Sequence, residues 1–271
     1  MRYFFLGLVV VVVAVLAFSF VIPAQSVQKS PTAKGIPDLG GVWNNSAGRD
    51  TPAEGIEGPG FAFEAIGRGG IPRNSFLTKD DPQPSMKPAA LEKFNANREG
   101  IGIKDGSTAD PNTLDPRNSC FPPSPTQFYT IPFPFEIRQL PDEVLLLFEY
   151  DHWVRRIDLE AKQHPEGYPV TWMGHSIGRY DGDTLVVDTV AMHDKTWLDG
   201  LGHPHSEALH LVERLRRPNH DTLEITVQFD DPEIYTKPWT GKKIFQLMPK
   251  DYKVMEHVTC EEFLELGKHR Y

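Results

Sequence analysis

Residues 175–190 read HSIGRYDGDTLVVDTV, two strand-like runs, the second rich in β-branched residues, on either side of Asp181-Gly182. That dipeptide suits the tight turn of a hairpin. The same grammar recurs down the chain. FEIRQL and VLLLFEY flank Pro141-Asp142-Glu143, ALHLVERLRR and DTLEITVQFD flank Pro218-Asn219-His220, and KKIFQLMP and YKVMEHVTC flank Lys250-Asp251. In TLEITVQF, Leu223, Ile225, Val227 and Phe229 share one face of an extended chain, and Glu224, Thr226 and Gln228 share the other. HWVRRIDLE adds a further run after Asp151. Strands recur at intervals of roughly 10–15 residues with turn chemistry and no convincing helix between them. The pattern predicts an all-β domain over residues 130–271, an antiparallel meander closed into a barrel or, alternatively, stacked as a sandwich.

The region before it has a different composition. Residues 31–141 hold 16 of the 24 prolines, too many for central strands, so residues 27–129 read as a long Pro/Gly-rich arm wrapped on the barrel. Two regular elements are expected in the arm. DLGGVWNN, near 38–45, reads as a first strand supplied to the barrel. PAALEKFNANREG opens on Pro88 and ends on Gly100, which suits one short helix. Residues 1–26 begin with Arg2, run almost wholly apolar from 3 to 22 and end in small residues, the pattern of a secretory signal peptide. Export to the periplasm or the medium is expected, with membrane contact only if residues 3–22 are retained as an anchor.

Charge narrows the partners. With 28 Lys+Arg against 37 Asp+Glu and no basic run longer than RLRR at 214–217, nucleic acid is a poor partner. The two cysteines, Cys120 and Cys260, form either one disulfide in an oxidising compartment or two buried thiols. No C-x-x-C is present, so zinc-ribbon and thioredoxin chemistry are not called for.

GHSIG, residues 174–178, spells the G-x-S-x-G of a serine-hydrolase elbow. That elbow needs a strand-to-helix turn within βαβ units, whereas RYDGDTLVVDTV continues as a hairpin. Ser176 is therefore expected to be a strand residue, and the chain not to be a Ser-His-Asp α/β-hydrolase.

Reactive side chains concentrate in EYDHWVRR, TWMGHSIGR, MHDKTWLD and GHPHSEALHLVER, with five of the ten histidines between 175 and 210. At strand ends of a meander these stretches could meet at one barrel mouth. Acid–base chemistry needs a base, an orienting carboxylate and a cation for developing negative charge. His175 or His205 fits the first role, Asp151, Asp194 or Glu207 the second, and Arg155 or Arg179 the third. Tyr150, Trp153, Trp172 and Trp197 are candidate wall residues for an apolar small molecule held in the barrel. No cofactor is called for. His203, His205 and Glu207, spaced by two, would share one side if extended, so a metal site is the alternative; non-catalytic binding is the other. His164 and His220 read as solvated turn residues.

Two resemblances add to this reading. Gly41-x-Trp43 ahead of a meander resembles the opening of lipocalin-like (calycin) barrels, which implies a small-molecule cavity. PFEIRQLPDEVLLLFEYDHWVRRI, WMGHSIGRYDGDTLVVDT, DKTWLDGLGHPHSEALHLVERLRR and DDPEIYTKPWTGKK resemble a family of exported bacterial proteins that open with a signal peptide and PDL-small-Gly-x-Trp, matched here by residues 37–43. The similarity spans about residues 36–262 and implies export. It carries no activity and no catalytic residues. The family's Cys-Glu-Glu-Asn stands here as Cys260-Glu261-Glu262-Phe263.

Overall fold

A computed structural model describes residues 35–45, 71, 74–78, 80–100 and 115–255, all within the compact unit Thr32–Tyr271. The expected leader over residues 1–26 and Cys260 lie outside the described residues. Nine strands form one closed barrel in sequence order: β1 (Gly41–Asn44), β2 (Phe135–Gln139), β3 (Glu143–Phe148), β4 (Val154–Asp158), β5 (His175–Asp181), β6 (Thr184–Val190), β7 (His210–Asn219), β8 (Thr222–Asp230) and β9 (Trp239–Leu247). Strand β1 pairs with both β2 and β9, so the arm supplies the strand that closes the sheet, as its Gly-x-Trp entry led us to expect. Closure leaves no free sheet edge to stack as a sandwich.

One feature departs from an antiparallel meander. Strands β4 and β5 run parallel, joined at only Ile157↔Ser176 and Asp158↔Ile177. A parallel pair needs a long return connection, and residues 159–174 provide it. The chain also leaves the sheet at Leu247: the expected strand after Lys250-Asp251 is a turn followed by irregular chain over residues 251–255, and residues 256–260 lie outside the described residues.

The interior follows the two-residue period. Leu223, Ile225, Val227 and Phe229 of β8, Leu211 and Leu215 of β7, and Leu185 and Val187 of β6 expose no surface, so no water-sized void borders them. Around these residues the barrel interior is packed with side chains. Aromatic rings complete the filling: Phe135 meets Phe245 edge-on at 5.1 Å, and Phe128 stacks on Phe148 at 4.0 Å.

The arm packs on this barrel. Phe76 lies against Phe229 at 5.3 Å and over Gly241, where a Cβ would come within 2.3 Å of Phe76 Cβ. The helix α1 (Pro88–Gly100) buries Phe94 against the His203 ring and ties Asn97 Nδ2 to the Gly202 carbonyl at 2.8 Å. The Pro-rich end of the arm makes two short 3₁₀ turns, Pro116–Ser119 and Gln127–Thr130, beyond the strand and the helix expected in it.

Candidate functional site

The sequence-selected polar residues do not form one hydrogen-bonded cluster. They divide among the barrel interior, the long loops at one end and the outer wall.

Arg155 is inside the barrel. Alternation along β4 turns it inward opposite Leu146, where it forms an ion pair with Glu213 and donates to Tyr129 Oη at 3.1 Å and Thr189 Oγ1 at 2.9 Å. Burial alone would lower its pKa, but the Glu213 carboxylate and the Tyr129 hydroxyl more than offset this and hold the guanidinium charged. Burial, with Glu213 beside it, pushes the Tyr129 hydroxyl well up. Ser176 belongs to the same network, 2.9 Å from Thr189 Oγ1 and 3.3 Å from Arg155 Nε. Its hydroxyl sits inside the wall and its strand leads into a hairpin, so no elbow nucleophile is built here. Arg155 is not placed to stabilise an anion beside a histidine; it is the interior's charged tie.

The loops between β6 and β7 hold the second set. His205 is buried; its Nδ1 donates to the Ser206 carbonyl at 3.0 Å, and its Nε2 lies 2.7 Å from Thr196 Oγ1. Burial holds it below the ordinary imidazole range, and both ring nitrogens are occupied. His203 is fully buried and bonded to Asp199 Oδ2 at 2.8 Å and to Gln83 Oε1 at 3.2 Å. The two-residue spacing of HPHSE does not bring its members together, because the segment is a loop and not a strand. Glu207 lies instead with His193 and Asp194, whose ligand atoms fall within 4.8 Å of one another, and Trp172 stacks on His193 at 4.7 Å. Trp197 and Tyr150 are buried, and Trp153 packs against the core edge. Asp151 lies in a 3₁₀ turn with a left-handed backbone, φ 56°. Its charge helps to raise the pKa of Arg117, where burial opposes the effect and Asp115 provides the largest support.

The third set is the one with the geometry of a reactive centre. His175 opens β5 and faces outward, since its neighbour Ser176 faces in. Its Nδ1 is 2.8 Å from Nδ1 of His164, a residue of the return connection. The other nitrogen of His164, Nε2, is 2.9 Å from Asp188 Oδ1, and His210 Nε2 reaches the same oxygen at 2.9 Å. A carboxylate only accepts, so His164 Nε2 carries a proton. In the tautomer where His164 Nδ1 accepts, the proton between the two rings belongs to His175 Nδ1. His175 Nε2 is left as a lone pair, with no hydrogen-bond partner among the described residues. Burial and the neighbouring His164 hold His175 below the usual imidazole range, with Asp158 opposing them. The ring of Tyr168 rests beside His175 at 4.5 Å.

Next to this relay, where β4 and β5 diverge, lies a cleft of about 320 Å³ lined by Leu159, Ala161, Lys162, Ile177, Gly178, Arg179 and Tyr180. Ile177 links the two, lining the cleft two residues along the outer face from His175. Arg179 is exposed in its wall.

Of the residues selected from sequence, then, the structure brings His175 and Arg179 to one strand, groups Asp194 with Glu207, and separates both sets from Arg155. Sequence reasoning missed His164, Asp188, His210 and Lys162. Asp188 was legible: the Asp181↔Thr184 hairpin fixes the Ile177↔Asp188 pair, which places Asp188 diagonally across from His175. His164, read as a solvated turn residue, is partly covered and central; nothing in its local sequence shows where the return connection lies.

Fold and site together define a closed mixed β-barrel carrying a hydrogen-bonded cluster of His164, His175, Asp188 and His210 on its wall. Compared with protein-family models and with curated proteins, the chain matches none.

Proposed function

We propose that this is an exported enzyme that moves a proton on a small molecule without a metal, with His175 as the base. The observation that carries the reading is the Nδ1–Nδ1 contact of His164 and His175, anchored on Asp188, because with the shared proton on His175 Nδ1 it leaves His175 Nε2 basic. When Nε2 takes a proton from substrate, the Nδ1 proton passes to His164, and the imidazolium formed there rests on Asp188. The pKa direction of His175 keeps the base neutral at ordinary pH. His210 Nε2 bonds the same Asp188 oxygen and helps to hold the carboxylate in place. The apolar part of the ligand, expected inside the barrel, is assigned to the outer cleft, where Leu159 and Ile177 offer an apolar wall. Export rests on the leader pattern of residues 1–26 and on the family resemblance, as does a Cys120–Cys260 disulfide; no described cysteine is a free thiol.

The test is solvent exchange. Wild-type protein and a His175→Asn variant are incubated in D₂O with the small-molecule fraction of the medium in which the protein is made, and the mixtures are compared by mass spectrometry. Wild type is expected to add deuterium to at least one compound that the variant leaves unlabelled. Identical spectra would overturn the catalytic reading in favour of pure binding.

A further inference from the structure

The outer cleft carries a charge pattern that the relay does not use. Three exposed strand arginines have carboxylate partners, Arg138 with Glu136, Arg156 with Glu143, and Arg216 with Asp183, and the exposed Arg214 has none among the described residues. Arg179 and Lys162 have none among the described residues, and both line the same cleft. This occurs on a chain of net charge −9, whose overall field repels anions. The nearby carboxylate of Asp158 is turned to the chain instead: its Oδ1 accepts from the Glu160 and Ala161 amides at 2.7 and 2.9 Å, bonds that hold its pKa down. Two cations therefore share the lining of the cleft with the apolar Leu159, Ala161 and Ile177.

We infer that the cleft binds a small carboxylic acid with an apolar body, its carboxylate on Arg179 and Lys162. A planar guanidinium fork matches a planar carboxylate in two parallel hydrogen bonds. The lining comes from a strand and a bend, with no helix N-terminus to favour a phosphate. A body lying along Ile177 extends towards His175, two residues or about 7 Å away on the same face. The inference deepens the reading of His175 as a base by naming the substrate class, and rests on that reading only for which end of the ligand reacts.

Hexanoate and its uncharged isostere hexanamide are the probes, titrated into ¹⁵N-labelled full-length protein and followed at the amides of Ile177 to Tyr180. Hexanoate is expected to shift these signals saturably, at least tenfold more tightly than hexanamide. Arg179→Gln should remove that preference, while Arg214→Gln, an exposed change outside the cleft, should leave it within twofold. Equal affinity for the two probes, or an unchanged preference in Arg179→Gln, overturns the inference. The same labelled protein reports the His175 ring tautomer. A protonated Nε2 with hexanoate still bound removes the base and keeps the carboxylate site; a bare Nε2 with no hexanoate preference does the reverse.

Discussion

At the residue scale, the interior cation shows how far burial changes the meaning of a side chain. Arg155 and Glu213 are almost fully enclosed, and each satisfies the other. Removing one partner leaves an unpaired charge out of water, which costs about 3–5 kcal/mol. We expect Glu213→Gln and Arg155→Met each to lower the free energy of unfolding by that amount in a urea titration. The double change Arg155→Met/Glu213→Leu should lose less than either single one, since it removes both charges together. His205 supplies a pH signature. Its folded-state pKa lies below the unfolded value near 6.5. At higher pH both states are neutral and the histidine adds nothing to the pH dependence. Below about pH 6.5 the unfolded chain takes up the proton first, so stability falls with pH by up to about 1.4 kcal/mol per unit until the folded pKa is reached. His205→Gln should flatten that limb of the stability–pH curve, measured between pH 5 and 7; an unchanged limb would assign it to another group.

At the element scale, the strand that matters most is fixed by the glycine before it. Gly174 has φ +66°, and a Cβ there would stand 2.5 Å from the Val190 carbonyl oxygen and 2.7 Å from Met192 Cγ. The return connection reaches β5 through this left-handed residue, which sets His175 facing outward. Gly174→Ala combines an unfavourable backbone region with a clash against main chain, a cost of about 1–3 kcal/mol or more. It should lower thermal stability and loosen the His164–His175 contact, seen as loss of the shared-proton imidazole signal in ¹⁵N spectra. The hairpins themselves were legible because alternation and an Asp-Gly turn determine register: once Asp181 pairs with Thr184, His175 must pair with Val190. The same reasoning failed for HPHSE, where a Gly-Pro-rich loop removes the two-residue period and sends His203 and His205 to separate partners. It failed for His164 too, because a hydrogen bond between a connection and a strand depends on which side of the sheet the connection crosses. Nothing in a proline-rich stretch states that.

At the scale of the whole molecule, the barrel is held by very unequal seams. Strands β7 and β8 share eight paired positions and β8 and β9 another eight, whereas β4 and β5 share two. The return connection is the cause: it carries the chain off β4 just past Asp158, and β5 continues for four residues beyond the last shared pair. The opening that results is the cleft itself. A closed barrel otherwise hides its backbone, so a short parallel seam is a way to place an accessible groove in its wall without opening the sheet at an end. Local stability should follow this map. In native-state hydrogen exchange, amides of β5 that face β4 are expected to exchange at least tenfold faster than those facing β6, while amides shared by β7 and β8 should be the slowest. Hexanoate should slow the first group and leave the β7–β8 amides unchanged. Uniform protection along both edges of β5 would mean that the seam is closed in solution, and the cleft would then have to form on binding.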